Sequence, residues 1–205
     1  MSFASEAASL GGTLVKSWNQ GVYMTRFRSK VGLCRAISLA WLRFKNENNT
    51  KELYDLGAEA LEDVEWLNNV HKGSAFISGS TYSYGNEVFD LLTAYMKVHG
   101  MAVVKPHIAR TPYSFFPRGY MTLREGIDTA TAGFGYFALL DMDPPGEGEG
   151  HGVASYVMPG GSSYFFDPNF GEVRFPDPYH LRTFLNRWLS STYPRLTRTS
   201  VERFA

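Results

Sequence analysis

The sequence predicts an α+β fold, with helices first and a mainly antiparallel sheet after them. Three observations carry this. Up to Gly100 the apolar residues recur at the three-to-four spacing of a helix face. Beyond it they fall into short runs bounded by Pro and Gly, which is strand patterning. Between two of those runs stands Pro159-Gly160-Gly161, a hairpin signal and hence a sign of antiparallel pairing.

Taken in order, residues 1–20 are rich in Ser, Ala and Gly, hold no strong period and read as a loosely ordered lead-in. One domain is expected over 21–205, helical to 100 and sheet-forming from 101. The basic segment Gly21–Lys30 loops into a helix whose stripe is Leu33, Ile37, Ala40 or Trp41 and Phe44, running to about Lys45. Asn46–Asn49 is a polar break, and Asn49 with Glu52 resembles a capping box. The stripe Leu53, Leu56, Ala60, Leu61, Val64, Leu67 and Val70 predicts one helix over Thr50–His71. Gly73–Gly85 reads as a Ser/Gly/Tyr loop. A third helix over Asn86–His99 presents Val88, Leu91, Leu92, Tyr95 and Met96, with Gly100 at its C′ position.

Met101–Lys105 is a short strand ended by Pro106, and residues 107–121 form a Pro/aromatic loop. Thr122 and Glu125 can cap a short helix. Gly135–Met142, Gly152–Met158, Ser163–Phe166 and Glu172–Phe175 are strands, and Asp143–Gly150 is a Pro/Gly/Glu loop. Asp177-Pro178 opens a helix to about Ser191 with the stripe Leu181, Phe184, Leu185 and Trp188. Arg195–Phe204 is expected as a last edge strand. There are no internal repeats or low-complexity tracts.

Composition narrows the function classes. The chain has 205 residues, of which 44% are hydrophobic and 15% aromatic, enough for a sizeable core. Twenty basic residues balance twenty acidic ones, so no overall field favours nucleic acid or an anionic membrane. Met1–Leu10 lacks a basic n-region and a long apolar run, so no signal peptide is expected, and no apolar stretch reaches transmembrane length. A single cysteine excludes an intramolecular disulfide framework and a Cys-rich zinc site. The five histidines show no His-x-x-x-His spacing, and no phosphate-loop motif occurs, so neither metal nor cofactor is expected.

That one cysteine, Cys34, sits where the polar segment gives way to the first long helical pattern. A thiol in the first turn of a helix faces unpaired backbone N–H groups and the positive end of the helix dipole, and both favour the thiolate. The plainer reading, a small buried hydrophobe, loses ground because of a second stretch. His151 opens one strand of the Pro159 hairpin and Asp167 closes the other, sixteen residues on. The two are directly opposite only if the turn is centred on Pro159. A two-residue Gly160-Gly161 turn would set Asp167 against Ala154, about 10 Å from His151. A three- or five-residue loop centred on Pro159, or a bulge, is therefore expected.

Thiol, imidazole and carboxylate are the set that nucleophilic catalysis needs. The imidazole takes the thiol proton, the carboxylate orients it and stabilises its charge, and the proton returns to the leaving amine. Backbone N–H groups at the helix start, that of Cys34 among them, can stabilise a tetrahedral oxyanion.

Gly32-Leu33-Cys34 with a helix through Trp41-Leu42, the late Gly150-His151-Gly152-Val153-Ala154, and Phe165-Phe166-Asp167-Pro168-Asn169-Phe170-Gly171 together resemble the YopT/AvrPphB-type bacterial effector cysteine proteases. The match spans about residues 29–176. The resemblance implies a papain-like fold and a Cys34–His151–Asp167 triad, whose separations of 117 and 16 residues suit that group. It implies a cysteine endopeptidase, delivered by a specialised bacterial secretion system into host cytoplasm as a virulence factor. Its partner would be a host protein substrate, a small GTPase or a kinase, and the enzyme would act as a monomer. The same triad could instead run transglutamination, deamidation or acyl transfer, and without chemistry the fold could serve as a binding module.

The chain departs from the pattern in two places. Papain-like enzymes place a Gln or Asn five or six residues before the cysteine as an oxyanion donor, where this chain has Ser29 and Arg28. Ser29, a folded-back Asn19 or Gln20, or backbone donors would have to substitute. Gly11-Gly12 begins no acylation pattern. Among other candidates, Asn169 reads as a turn residue. His71 and His99 read as helix-end histidines, His107 as a surface or packing residue, and His180 as the start of the last helix without a sequence partner. The acids Asp141, Asp143, Glu147 and Glu149, just before His151, form either a solvated loop or a cleft lining that attracts basic substrate side chains.

Overall fold

The structure is a computed structural model that describes residues 2–26, 33–76, 84–104, 121–145 and 149–205. The lead-in proves ordered. Residues Phe3–Ser9 form helix α1, capped by a reciprocal Ser2/Ser5 box, and Thr13–Ser17 form strand β1. Phe3 and Ala7 are buried, which is why this stretch holds despite its weak period. A short helix α2 (Gly21–Met24) follows and buries Tyr23.

Helix α3 (Leu33–Asn46) agrees with expectation and is the centre of the helical layer. Leu33, Ile37, Leu39, Trp41, Leu42 and Phe44 are all buried, so it is apolar on more than one face. The helix expected over Thr50–His71 is two helices, α4 (Thr50–Tyr54) and α5 (Ala58–Phe76). The break is a backbone device that the apolar stripe does not report. Leu56 adopts φ 55°, and the Gly57 N–H closes back on the Glu52 carbonyl at 2.9 Å, the pattern of a Schellman cap. Glu52 does not box Asn49, whose side chain makes no cap bond; its carboxylate accepts instead from the Glu59 N–H of α5. Helix α5 also continues through the first residues of the expected 73–85 loop, and His71 lies inside it rather than at its end. Helix α6 (Tyr84–Val98) ends at Gly100, whose φ of 76° fits the C′ position. Leu92 and Met96 are buried as expected, whereas Leu91 faces outward.

The second half forms the sheet. Its strands are β2 (Val103–Val104), β3 (Met121–Thr122), β4 (Tyr136–Asp143), β5 (His151–Val157), β6 (Ser163–Asp167), β7 (Gly171–Phe175) and β8 (Arg198–Phe204). The order is β1-β7-β6-β5-β4-β8-β2, antiparallel throughout, with β3 also on β8. Strand β8 was expected at an edge and instead pairs β4 on one side and the short β2 and β3 on the other. Its apolar residues Val201 and Phe204 face opposite sides of the sheet, and its partner strands are far away in sequence, so no local pattern reports that both of its edges are paired. Helix α7 (Leu123–Ala130) carries the predicted Thr122/Glu125 box, and α8 (Pro178–Thr192) is capped by Asp177 with Pro at its start. The loop at 107–120 lies outside the described residues.

Both faces of the sheet are covered, as strand alternation requires. Phe137, Leu139, Ala154, Phe166 and Phe204 pack with α3, α4, α5 and α6. Ala138, Leu140, Met142, Val153, Phe165 and Val173 pack with α1, α7 and α8. Gly171, which pairs with Asp167, has φ 114°, and a Cβ there would meet the Lys16 carbonyl of β1. Gly171→Ala is expected to cost at least about 2 kcal/mol, read as a lower urea midpoint, because both the strained backbone and the clash oppose it.

Candidate active site

The β5–β6 register places His151 and Asp167 one step apart diagonally. Val157 pairs Ser163 and Ala154 pairs Phe166 around a five-residue connection, Met158–Ser162, centred on Gly160 rather than Pro159. Continued, this register sets Asp167 beside Val153, two residues from His151. The expectation of directly opposed residues is corrected. Residues two apart share a face, and a diagonal pair lies within reach of a long side chain. The imidazole covers the difference, and His151 Nε2 lies 2.9 Å from Asp167 Oδ1.

Asp167 is wholly buried, and each of its contacts is a donor. The Asn169 N–H gives 2.9 Å to Oδ1, an Asx turn that the Asp-Pro-Asn sequence favours. The Tyr193 hydroxyl gives 3.0 Å to Oδ2 and also sits 2.9 Å from His151 Nε2. With Nε2 engaged by the carboxylate, the other ring nitrogen, Nδ1, is left for the thiol.

Cys34 approaches from the opposite layer. Helix α3 can come this close to β5 because Gly152 has no side chain: a Cβ there would stand 3.0 Å from the Arg35 Cα and 3.2 Å from its N. One turn on, the Ser38 hydroxyl donates to the Gly152 carbonyl at 3.0 Å and fixes the contact. Burial pushes the Cys34 thiol up, but the neighbouring His151 imidazole, through hydrogen bonding and charge, and the backbone N–H groups of Gly152 and Arg35 outweigh it and hold the thiol below its ordinary value. Burial likewise pushes His151 down, while the charge and hydrogen bond of Asp167, with Cys34 added, raise it to about 10. Both directions favour transfer of the thiol proton to the imidazole.

The expected oxyanion donors divide. Ser29 lies outside the described residues. Asn19 and Gln20 do fold back, onto the turn after Asp167. Asn19 Nδ2 donates to the Asn169 carbonyl at 3.0 Å, and Gln20 Nε2 to Asn169 Oδ1 at 2.7 Å. The Arg35 and Gly152 N–H groups act on the thiol itself, and the Cys34 N–H remains the expected backbone donor.

In the acidic cluster the placement of Asp141 is corrected. Asp141 belongs to β4, not to a loop, and is ion-paired with Arg35, which also binds Glu202 at 2.8 Å. A buried guanidinium one residue after the thiol takes up this acid. Asp143 ends β4, Glu149 is exposed two residues before His151, and Glu147 lies outside the described residues. His180 has a partner after all, its capping residue Asp177, at 2.8 Å. His99 Nδ1 lies 2.9 Å from Glu47, and His107 is outside the described residues. Tyr193 was missed in the sequence. It stands 26 residues from Asp167, just past the end of α8, and no spacing signal links the two.

A thiol at a helix start, backed by an imidazole and a buried carboxylate on an antiparallel sheet, is the constellation of a papain-like fold. The structure superimposes on the Pseudomonas avirulence protein AvrPphB with a TM-score of 0.58, at 18% identity over 93% of this chain and 96% of that one. It also superimposes on PatoxP, the cysteine protease-like domain of the Photorhabdus asymbiotica toxin PaTox. There the TM-score is 0.51, at 14% identity, covering 98% of this chain and 56% of that one. These likenesses show the fold. Residues 124–204 match the peptidase C58 family, described as Yersinia/Haemophilus virulence surface antigen, and the resemblance to YopT/AvrPphB-type proteins is thereby borne out. No curated protein matches the chain. His151 and Asp167 fall inside the matched stretch and Cys34 outside it.

Proposed function

We propose that the chain is a cysteine endopeptidase with Cys34 as nucleophile, His151 as general base and acid, and Asp167 as orienting carboxylate. The observation that carries this reading is the thiol–imidazole–carboxylate line, assembled from three separate elements, with the thiol below and the imidazole above their ordinary values. The Cys34 thiolate attacks the scissile carbonyl carbon, and backbone N–H groups at the start of α3, that of Cys34 among them, would meet the negative charge that forms. His151 gives its Nδ1 proton to the leaving amine, which departs and leaves an acyl-enzyme. Water, deprotonated by the same nitrogen, then releases the acid and restores the thiol.

The matched family's description as a virulence surface antigen fits a host protein as substrate, and by the resemblance the chain would reach it through a bacterial secretion system. Among the described residues, no helix is long and apolar enough to cross a membrane. Asp143 and Glu149 remain as acids that could favour basic residues beside the cleaved bond.

The pH dependence tests the ion pair. Iodoacetamide should alkylate Cys34 rapidly near pH 6, where an ordinary thiol is almost wholly protonated. Hydrolysis should rise through the lowered thiol value and fall again as His151 loses its proton near 10, since the leaving amine then has no donor. His151→Ala should move the alkylation limb upward toward a free thiol. Slow labelling at pH 6 that His151→Ala leaves unchanged would refute the triad. New N-termini in host lysate, produced by the wild type and absent with Cys34→Ala, would establish hydrolysis; a one-unit mass gain without cleavage would mean deamidation instead.

A further inference from the structure

We propose that Tyr193 is a positioning residue for the His151–Asp167 pair, and that Asn169 and Gln20 hold it there. The inference rests on the triad reading above. Tyr193 follows the last residue of α8, so its backbone is anchored by a helix that buries Leu181, Phe184, Leu185, Trp188 and Leu189 in the sheet. Its ring lies against the His151 imidazole, with centroids 4.5 Å apart and planes 32° apart. Its hydroxyl sits at the corner shared by His151 Nε2, at 2.9 Å, and Asp167 Oδ2, at 3.0 Å.

A phenol carries one proton, and its neighbours decide where that proton points. Asn169 Nδ2 donates to the Tyr193 oxygen at 3.0 Å, so this bond leaves the phenol proton free for another acceptor. The anionic carboxylate is the better acceptor, and the hydroxyl donates to it. The phenol oxygen then faces Nε2 as a second acceptor beside Asp167, which requires Nε2 to carry a proton. Nδ1 is therefore the nitrogen that exchanges a proton with Cys34. Burial and the Asp167 charge hold the Tyr193 hydroxyl far above its ordinary value, so it stays protonated while the enzyme works.

Asn169 is itself oriented from the chain's other end. Gln20 Nε2 donates to Asn169 Oδ1, which turns the Asn169 amide nitrogen toward Tyr193. Gln20 is held by its own N–H on the Pro168 carbonyl, and Trp18 by its N–H on that of Phe170. The segment from β1 to Gln20 thus braces the turn that carries the triad carboxylate. The order is Gln20, Asn169, Tyr193, then the imidazole.

The test uses Tyr193→Phe, which keeps the ring and removes the hydroxyl, and Asn169→Ala, which keeps the backbone N–H on Asp167. Tyr193→Phe should lower kcat for a peptide substrate about ten- to a hundredfold with KM unchanged, because a misaligned imidazole affects the chemical step and not binding. Its alkylation limb should move upward in pH, since a looser imidazolium stabilises the thiolate less. Asn169→Ala should change both in the same direction, and the double variant should be no worse than Tyr193→Phe alone, because both act through one hydroxyl. A hydroxyl that merely stabilised the fold would lower the melting temperature and leave the pH limb in place, and that result overturns the inference. If wild-type labelling depends on His151 but Tyr193→Phe matches the wild type in kcat and pH limb, only this inference falls. If the wild-type thiol shows no His151-dependent reactivity, the triad reading falls with it.

Discussion

Cys34→Ala is expected to remove measurable peptide hydrolysis, a loss on the order of 10⁴-fold or more in kcat, while the fold survives. Among the described residues, neither Tyr193, which keeps its proton, nor Asp167, fully buried among donors, can take its place. Alanine suits the first turn of α3, and the change removes only one sulfur atom from a partly buried side chain, so far-UV dichroism and the urea midpoint should stay close to wild type. His151→Ala should cost less in rate, about 10²- to 10⁴-fold, since the thiol nucleophile and the backbone N–H groups at the start of α3 remain. It should cost more in stability, because it strips one donor from a buried carboxylate. Asp167→Ala combines the losses: the imidazole loses its orienter, while the Asn169 N–H and the Tyr193 hydroxyl lose their acceptor. The diagnostic pattern is the ordering, with rate lost most in Cys34→Ala and stability most in Asp167→Ala. Residual hydrolysis in Cys34→Ala above one part in a thousand would place the nucleophile elsewhere.

Legibility of the site in the sequence followed the range of the interactions that build it. Cys34 and its helix were readable because a thiol against an apolar helical stripe is a local pattern. The His151 and Asp167 positions were readable because turn chemistry, Pro159-Gly160-Gly161 and Asp167-Pro168-Asn169, announces strand ends. The register between them was not, since two five-residue connections that differ by one in their centre look alike in composition. Only cross-strand pairing distinguishes them. Asp141 was misplaced for a related reason: beside a Glu/Gly/Pro run an acid looks solvated, and its partner Arg35 lies over a hundred residues away. The split of α4 from α5 turned on one left-handed residue, Leu56, whose side chain carries no such signal. Order in residues 1–20 came from a strand partner, β7, that the local composition could not reveal.

The same distance argument singles out Glu172 as the largest stability effect. Its carboxylate is wholly buried on β7, facing the helical layer. Lys45 Nζ donates to Oε1 at 2.7 Å, Trp41 Nε1 to Oε2 at 2.9 Å, and the Tyr54 hydroxyl to the same oxygen. Lys45 also lies 3.5 Å from the Tyr164 ring centroid, and Trp41 stacks on Phe166 with centroids 5.4 Å apart. One carboxylate therefore clamps α3 and α4 to the strand beside the one that ends in Asp167. Glu172→Ala would leave a partly buried ammonium, a buried indole N–H and a phenol without their acceptor, and is expected to cost about 3–5 kcal/mol. Glu172→Gln retains the shape and one acceptor, so only part of the network is lost, for about 1–3 kcal/mol. Urea unfolding reads both as shifts in midpoint at constant slope. Lys45→Met separates charge from packing: it removes the ammonium and keeps most of the aliphatic stem on Tyr164. If the ion pair is the clamp, Lys45→Met should lose at least half as much as Glu172→Ala. If the Trp41 and Tyr54 donors are, it should lose little, and the helical layer is then held by hydrogen bonds that only the carboxylate can accept.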